Sequence, residues 1–214
     1  MSESSVGIDV GGTFTDLVAV DESGRVRALK VPSTPGDQSE AVASALAAAT
    51  ASGERVSRFV HGTTVATNML LERTGSRVVF VTTAGFTDLL HLARQDRASL
   101  YDLARHHPAP LVPRDRTIGV RERVAPEGVM VPLDDAAVND VVASVRALRP
   151  DVVAVSLLHA NADPTHERRL RSALAAAVPE LDVVLSSEVF PEIREYERST
   201  TTVAEGYLRP GVAR

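Results

Sequence analysis

The 214-residue chain contains neither cysteine nor tryptophan, and aromatic residues make up only 4% of it. The absence of cysteine excludes disulfide bonds, thiolate catalysis and a cysteine-ligated metal, and it agrees with a reducing compartment. So few aromatic side chains argue against a surface on which nucleic-acid bases stack. The formal net charge of -5 likewise gives no overall attraction to nucleic acid or to an anionic membrane.

Long apolar runs are also missing, since none approaches the roughly 18 residues that a membrane-spanning helix needs. The first residues, 1–5, are short and polar and do not resemble a signal segment. Hydrophobic residues at 44% and charged residues at 24% are ordinary for a globular protein with a sizeable core. We therefore expect a soluble, cytoplasmic protein that binds neither nucleic acid nor membranes.

The most informative motif is the segment from Asp9 to Asp16, which reads Asp-Val-Gly-Gly-Thr-Phe-Thr-Asp. Apolar runs flank it, so it predicts two strands joined by a tight turn at the glycine pair. Glycines let backbone N–H groups approach an anion, threonine hydroxyls add donors, and a carboxylate can hold a cation. The segment therefore predicts a phosphate site, although an ordinary Gly-Gly hairpin accounts for the spacing about as well.

The rest of the chain alternates between strand and helix patterns. Three strands at 6–10, 15–20 and 25–31 with short turns predict an antiparallel meander that ends near Pro32 and Pro35. Helices are predicted at 39–51 (with Gly53 as its C-cap), 63–72, 135–148, 164–177 and 197–208, and further strands at 56–61, 77–82, 152–158 and 183–186. The pattern favours an α/β fold with one mixed sheet, in which parallel β-α units follow the meander and helices cover both faces.

Residues 84–131 break this alternation, because they have little periodicity, many charges and several prolines. A segment of this length inside a compact domain is usually functional or mobile. Within this segment, residues 117–124 and 129–131 predict a hairpin. Outside it, the last helix of the chain is expected to end at Pro210.

Several stretches, in this order, carry a resemblance to a known family. The segment from Asp9 to Asp16 resembles the first phosphate loop of the superfamily that includes actin, sugar kinases and heat-shock ATPases. Further stretches at 61–68, 82–103, 156–167 and 192–198 narrow the likeness. Together they resemble the N-terminal part of the hydantoinase A/5-oxoprolinase family, which includes the nucleotide-binding subunits of acetone and acetophenone carboxylases.

The resemblance extends from Val6 to about Leu208 and implies a ribonuclease-H-like, actin-like domain over 1–208. In this view 84–131 is an irregular insertion, and 209–214 begins the connection to a second domain. The resemblance also implies ATP and Mg²⁺ as cofactors, phosphorylation of an amide or carbonyl oxygen, and a cyclic amide or ketone as substrate. A second, B-type subunit is an expected partner. We find no second Asp-x-Gly motif between strands, so we expect the chain alone to be inactive.

Roles for single residues follow from the motif and the resemblance together. Asp9 and Asp16 are the candidate catalytic residues, and Asp9 is also the candidate Mg²⁺ ligand. The candidate phosphate contacts are Gly11, Gly12, Thr13, Thr15, Gly62, Thr63 and Thr64. The candidate substrate contacts are His61, Asn68, Arg94 and Gln95. Simpler roles remain open: Asp16 as a hairpin cap, the threonines after Gly62 as a helix cap, and Arg94 and Gln95 as part of a solvated loop.

Three functions are consistent with these features. The first is the N-terminal part of an ATP-dependent enzyme that opens a cyclic amide. The second is a segment of the ATP-binding subunit of a ketone carboxylase, which sequence spacing does not separate from the first. The third is a non-catalytic domain that binds a partner.

Overall fold

The computed structural model describes residues 3–34, 38–50 and 55–212, and the chain divides into two units, Met1–Thr74 and Gly75–Arg214. The elements of the first unit are β1 (Glu3–Val10), β2 (Phe14–Asp21), β3 (Val26–Pro32), α1 (Gln38–Thr50), β4 (Arg55–Thr63) and α2 (Val65–Glu72). Its sheet has the order β3-β2-β1-β4. Strands β1 to β3 are antiparallel neighbours, which confirms the predicted meander, and β4 runs parallel to β1.

Alternation of apolar and polar residues decides which face of this first sheet is buried. The buried side chains of β1 and β2 pack against helix α1 in one cluster, formed by Val6, Ile8, Val10, Leu17, Ala19, Ala45 and Ala49. Asp9, Asp16 and Val18, which alternate with these buried residues, are exposed. The sheet therefore presents these two carboxylates on the face opposite α1.

The first strand of the second unit is β5 (Val78–Thr83), and the unit contains a four-stranded, wholly parallel sheet. The other strands of the unit are β6 (Thr117–Val120), β7 (Arg123–Ala125), β8 (Gly128–Val131), β9 (Val152–Ser156) and β10 (Asp182–Leu185). Its helices are α3 (Leu89–Leu92), α4 (Asp135–Leu148), α5 (Thr165–Ala177), α6 (Ser186–Val189) and α7 (Glu195–Val212), with a 3-10 turn at Arg114–Arg116. The sheet order is β10-β9-β5-β6, and β7 and β8 form a separate antiparallel pair.

Every residue of β5 and of β9 is buried, as their continuous apolar runs predict for central parallel strands. Helices α4 and α5 contribute to the same core through Val138, Val141, Val145, Leu170 and Leu174. No helix in the described part of the chain combines the length and the apolar character that crossing a membrane requires.

Three sequence predictions about the fold were wrong. The strands form separate sheets in the two units rather than one mixed sheet, because both edges of β5 are occupied by β9 and β6. Residues 117–120 pair in parallel with β5, so only β7 and β8 form the predicted hairpin. The last helix continues past Pro210 to Val212, since a proline near a helix end removes only its own N–H. The predicted roles of Pro35 and Gly53 lie outside the described residues.

Candidate functional site

Two chain segments of the first unit meet at one edge of its sheet. One is the turn between β1 and β2, residues 11–13, and the other is the junction between β4 and α2, residues 62–64. The turn follows β1 and the junction lies at the end of β4. These two strands run in the same direction, with Val10 paired to Thr63. The carboxyl ends of parallel neighbours lie at the same sheet edge, so the topology brings the two segments together.

The glycines of the turn are required by close approaches rather than by an unusual φ angle. A Cβ atom on Gly11 would lie 2.9 Å from the carbonyl oxygen of Phe14, which receives the N–H of Gly11 at 3.0 Å. A Cβ atom on Gly12 would lie 3.0 Å from Nδ2 of Asn68. Within the described residues, the N–H groups of Gly12 and Thr13 have no acceptor. The turn therefore offers two free backbone donors beside an amide side chain, an arrangement suited to an anion.

A row of polar residues crosses the exposed face of the sheet next to this turn. Lys30 pairs with Asp16 across β3 and β2, Asp16 with Asp9 across β2 and β1, and Asp9 with Gly62 across β1 and β4. The ammonium of Lys30 lies 2.6 Å from Oδ1 of Asp16. A Cβ atom on Gly62 would lie 3.5 Å from Oδ1 of Asp9. Gly62 thus leaves space beside the Asp9 carboxylate.

The two carboxylates of this row differ in their partners. Asp16 accepts from Lys30 and forms an ion pair with it. In the parts of the chain that the structure describes, Asp9 has neither a hydrogen-bond partner nor an ion-pair partner. An exposed carboxylate without a partner, beside free N–H groups, is chemically suited to bind a hard cation together with an anion. Asp9 fits the predicted Mg²⁺ role, whereas Asp16 already neutralises a cation of the protein.

Thr15 lies on the other face of the sheet, where it is 0% exposed. Its hydroxyl is 3.0 Å from the hydroxyl of Ser33, and Ser33 in turn donates to the carbonyl oxygen of Gly11 at 2.8 Å. The N–H of Ser33 also donates to the carbonyl oxygen of Thr13 at 2.9 Å. Thr15 and Ser33 therefore stabilise the turn from the buried face of the sheet. This geometry does not support Thr15 as a direct phosphate contact.

Sequence reasoning did not identify Ser33. The signal that could have found it is register, because Phe14 pairs with Pro32 at the end of the meander. The residue after Pro32 must then lie beside the turn, and a small hydroxyl residue there can bond to the turn's carbonyl groups.

The β4–α2 junction is fixed to β1 by Thr64. Its N–H and its hydroxyl both donate to the carbonyl oxygen of Val10, at 3.1 Å and 3.3 Å. The hydroxyl of Thr63 accepts the N–H of Val65 at 3.2 Å, and Thr64, the N-cap residue of α2, makes no side-chain capping hydrogen bond. The amide of Asn68 donates to the Thr64 hydroxyl at 3.4 Å, which keeps Asn68 next to Gly12. The predicted residues Gly62, Thr63, Thr64 and Asn68 therefore lie with Asp9 and the turn.

His61 does not lie with them. It pairs with Ile8, whose side chain belongs to the buried core on the α1 face, so the imidazole lies on the face opposite Asp9. Its ring stacks on Phe59 with the ring centroids 6.4 Å apart. His61 therefore lies apart from Asp9 and the turn, because neighbouring residues of a strand point to opposite faces, and its role as a substrate contact stays a prediction.

Arg94 and Gln95 belong to the second unit. Nε of Arg94 lies 2.8 Å from Oε1 of Glu197, and this hydrogen bond raises the pKa of Arg94 and lowers the pKa of Glu197. Gln95 is exposed and has a φ of 57°, in the left-handed region. Because Arg94 already has a carboxylate partner, its availability to a substrate carboxylate is reduced.

Comparison with known proteins identifies the relatives of this chain. Residues 5–178 match the family described as the hydantoinase/oxoprolinase N-terminal region. The chain is 38% identical to the caprolactamase alpha subunit of Pseudomonas jessenii and 36% identical to the acetophenone carboxylase gamma subunit of Aromatoleum aromaticum, over 98% and 96% of its length. It spans 32% and 31% of those relatives, or about a third.

A solved structure agrees with this result. The crystal structure of the ATP-dependent caprolactamase from Pseudomonas jessenii matches 98% of this chain and 32% of that chain, with a TM-score of 0.87 and 35% identity. The match covers both units, so the mixed α/β fold described above is also found in about a third of a known enzyme's chain.

Proposed function

The chain belongs to the hydantoinase/oxoprolinase family, as its N-terminal region, and from this premise we propose that it binds the phosphates of ATP in an enzyme that opens a cyclic amide. The observation that carries the proposal is the turn at residues 11–13, where two free N–H groups lie beside the unpartnered carboxylate of Asp9. A relative with 35% identity is described as an ATP-dependent caprolactamase, which supports both ATP and a cyclic amide.

In this proposal each residue of the site has a separate task. The N–H groups of Gly12 and Thr13 bind phosphate oxygens, and Asp9 holds Mg²⁺. Gly11 and Gly62 keep the space beside them free of side chains. Thr63 and Asn68 are further polar contacts at the same edge of the sheet. Asp16 acts as a positioning residue. It pairs with Asp9 across β1 and β2, and its ion pair with Lys30 holds its own side chain in place beside Asp9.

Phosphorylation by ATP activates an amide for hydrolysis. An amide carbon is a poor electrophile, and a phosphoryl group transferred from ATP to the amide oxygen makes that carbon easier for water to attack. The chain spans about a third of its relatives, so we propose that other parts of a longer protein complete the ATP site. The chain alone is then expected to be inactive. Relatives named as subunits support a second, B-type subunit as a partner.

The test is ATP turnover by the complete protein with its partner subunit, measured as ADP release. Hydantoin, 5-oxoproline and caprolactam are the substrates, and we expect at least one to stimulate turnover. Asp9→Asn should lower stimulated turnover by about 10- to 100-fold, the range for a lost group in a metal shell. Glu22→Gln is the matched control, because it removes an exposed charge of the same meander. Turnover that no cyclic amide stimulates, or that Asp9→Asn leaves unchanged, would count against the proposal.

A second function is supported by the 36% identity to the acetophenone carboxylase gamma subunit. In that function the activated oxygen belongs to a ketone, and a carbon of that ketone then forms a bond to the carbon of bicarbonate. The same assay separates the two, since ADP release that needs both a ketone and bicarbonate would favour the carboxylase.

A further inference from the structure

A cavity of about 470 Å³ lies at the carboxyl end of the parallel sheet in the second unit. Six of the residues that line it are Phe86, Leu89, Arg123, Leu158, His159 and Arg194. They follow β5, β6 and β9 or directly precede α7. Ligands of open parallel sheets bind outside the carboxyl ends of the strands, and the volume is that of a small-molecule site.

The charges of this cavity favour an anion. The guanidinium of Arg123 lies 5.2 Å from the ring centroid of Phe86. Across the described part of the chain, neither Arg123 nor Arg194 forms a side-chain hydrogen bond or an ion pair. Glu197 also lines the cavity, but Arg94 pairs with it. The charge of Arg194 also acts on Glu197. Together with Arg94, the two lining arginines give three positive charges against two carboxylates, Glu195 and Glu197.

The apolar part of the cavity is formed by three side chains from two loops. Phe86 and Leu89 follow β5, and Leu158 follows β9. A bound molecule therefore meets guanidinium groups and an apolar surface in the same cavity. Guanidinium groups match the planar geometry of a carboxylate, and the apolar side chains suit a small hydrocarbon part or ring.

The loop after β9 is held in a defined conformation around this cavity. The N–H of Leu158 donates to the hydroxyl of Thr83 at 3.1 Å, and the N–H of Leu157 donates to the buried carboxylate of Glu167 at 3.0 Å. His159 adopts a φ of 55°, in the left-handed region that few non-glycine residues occupy but that histidine adopts more readily than most. These bonds place His159 at the cavity wall without requiring a ligand to order the loop.

We propose that this cavity binds a small organic acid, whose carboxylate contacts Arg123 and Arg194 and whose apolar part contacts Phe86, Leu89 and Leu158. Resting on the proposed function, this assigns a substrate class: cyclic amides that carry a carboxylate are preferred to those that lack one. Arg94, the candidate from the sequence, is replaced in this role by two arginines that form no ion pair with a carboxylate in the described part of the chain.

The test is a calorimetric titration of the 214-residue chain without ATP, using 5-oxoproline and 2-pyrrolidinone. The two molecules share a lactam ring and differ by one carboxylate. We expect 5-oxoproline to bind and 2-pyrrolidinone to bind at least about 10-fold more weakly, the usual size of one charge-assisted hydrogen bond. Arg123→Gln and Arg194→Gln should each weaken 5-oxoproline binding by about 10- to 100-fold.

Arg105→Gln is the control, because it removes the same charge from an exposed position of the second unit that does not line the cavity. Circular dichroism of each variant checks that it folds, and Arg123→Lys should recover part of the lost affinity. Equal binding of the two lactams, absent binding of 5-oxoproline at millimolar concentration, or binding that neither arginine variant weakens would overturn the proposal. Because ATP is left out, a failed ATPase assay and a failed titration remain separate results.

Discussion

Replacing Glu167 by alanine is expected to destabilise the second unit more than any surface substitution. Glu167 lies in the first turn of α5 and is 0% exposed. Its carboxylate accepts the N–H of Leu157 at 3.0 Å, the N–H and hydroxyl of Ser187 at 3.0 Å and 2.7 Å, and the hydroxyl of Ser186 at 2.7 Å. The side chain thus joins the loop that follows β9 to the first turn of α6.

The magnitude follows from the donors that lose their acceptor. In Glu167→Ala the hydroxyls of Ser186 and Ser187 can rotate, but the N–H groups of Leu157 and Ser187 cannot. An unsatisfied buried donor costs about 1–3 kcal/mol, so two donors and the lost packing give an expected decrease of about 3–5 kcal/mol in the free energy of unfolding. Glu167→Gln keeps the volume and one acceptor oxygen, and should cost about 1–2 kcal/mol.

The dependence on pH separates the glutamine variant from wild type. Burial raises the pKa of the Glu167 carboxyl above its ordinary value, and the hydrogen bonds from Ser186, Leu157 and Ser187 offset only part of this rise. The folded state therefore holds the proton more tightly than the unfolded state. This contribution to stability is fully present below the unfolded pKa and is lost as pH rises through the folded pKa. The advantage of wild type over Glu167→Gln should be larger near about pH 4 than near about pH 8.

The assay is urea denaturation followed by far-UV circular dichroism, with hydrogen exchange of the Leu157 and Ser187 amides as a local readout. Glu180→Ala is the control, since Glu180 is exposed in the same unit and such changes stay within about 0.5 kcal/mol. If Glu167→Ala matched Glu180→Ala in unfolding free energy and in hydrogen exchange, the inference that Glu167 joins the segments of Leu157 and Ser187 would be refuted.

Two further substitutions test close packing and the stabilisation of the turn. A Cβ atom on Gly75 would lie 2.1 Å from Cε1 of the buried Tyr207, so Gly75→Ala should cost about 1–3 kcal/mol in a thermal melt. Gly7→Ala, whose Cβ has no neighbour nearer than 4.0 Å, should leave the melting temperature nearly unchanged, and equal effects would contradict the packing argument. Ser33→Ala should cost about 1–2 kcal/mol, because the buried hydroxyl of Thr15 loses its partner. Hydrogen exchange at Gly11, whose N–H donates to the carbonyl oxygen of Phe14 within the turn, should then accelerate, and unchanged exchange would contradict a stabilising role of Ser33.

The sequence predicted the parts of the fold that depend on local pattern. Alternation in β1 and β2 predicted the meander, and the apolar runs of β5 and β9 predicted central parallel strands. It did not predict that Thr117–Val120 pairs with β5, because this pairing depends on which distant strands occupy each edge of the sheet. Local pattern contains no information about such long-range choices.

The site shows the same limit at the level of single residues. Asp9, Gly12 and Thr13 were accessible to sequence reasoning, because turn geometry and donor chemistry are local. The face on which His61 lies was not predicted, because it follows from the pairing of His61 with Ile8 in another strand. The partner of Arg94, Glu197, lies far along the chain, so preferring Arg123 to Arg94 as the contact for an anion required the structure.

The order of the strands also has a consequence for how the chain folds. In the first unit β1, β2 and β3 pair with their neighbours in sequence, and such local contacts form quickly. In the second unit Val78 of β5 pairs with Val152 of β9, so this strand remains without its central partner until much of the chain has been synthesised. Its continuous apolar sequence is meanwhile exposed, which makes β5 the segment of this protein most prone to aggregate during synthesis and the one that a chaperone would protect.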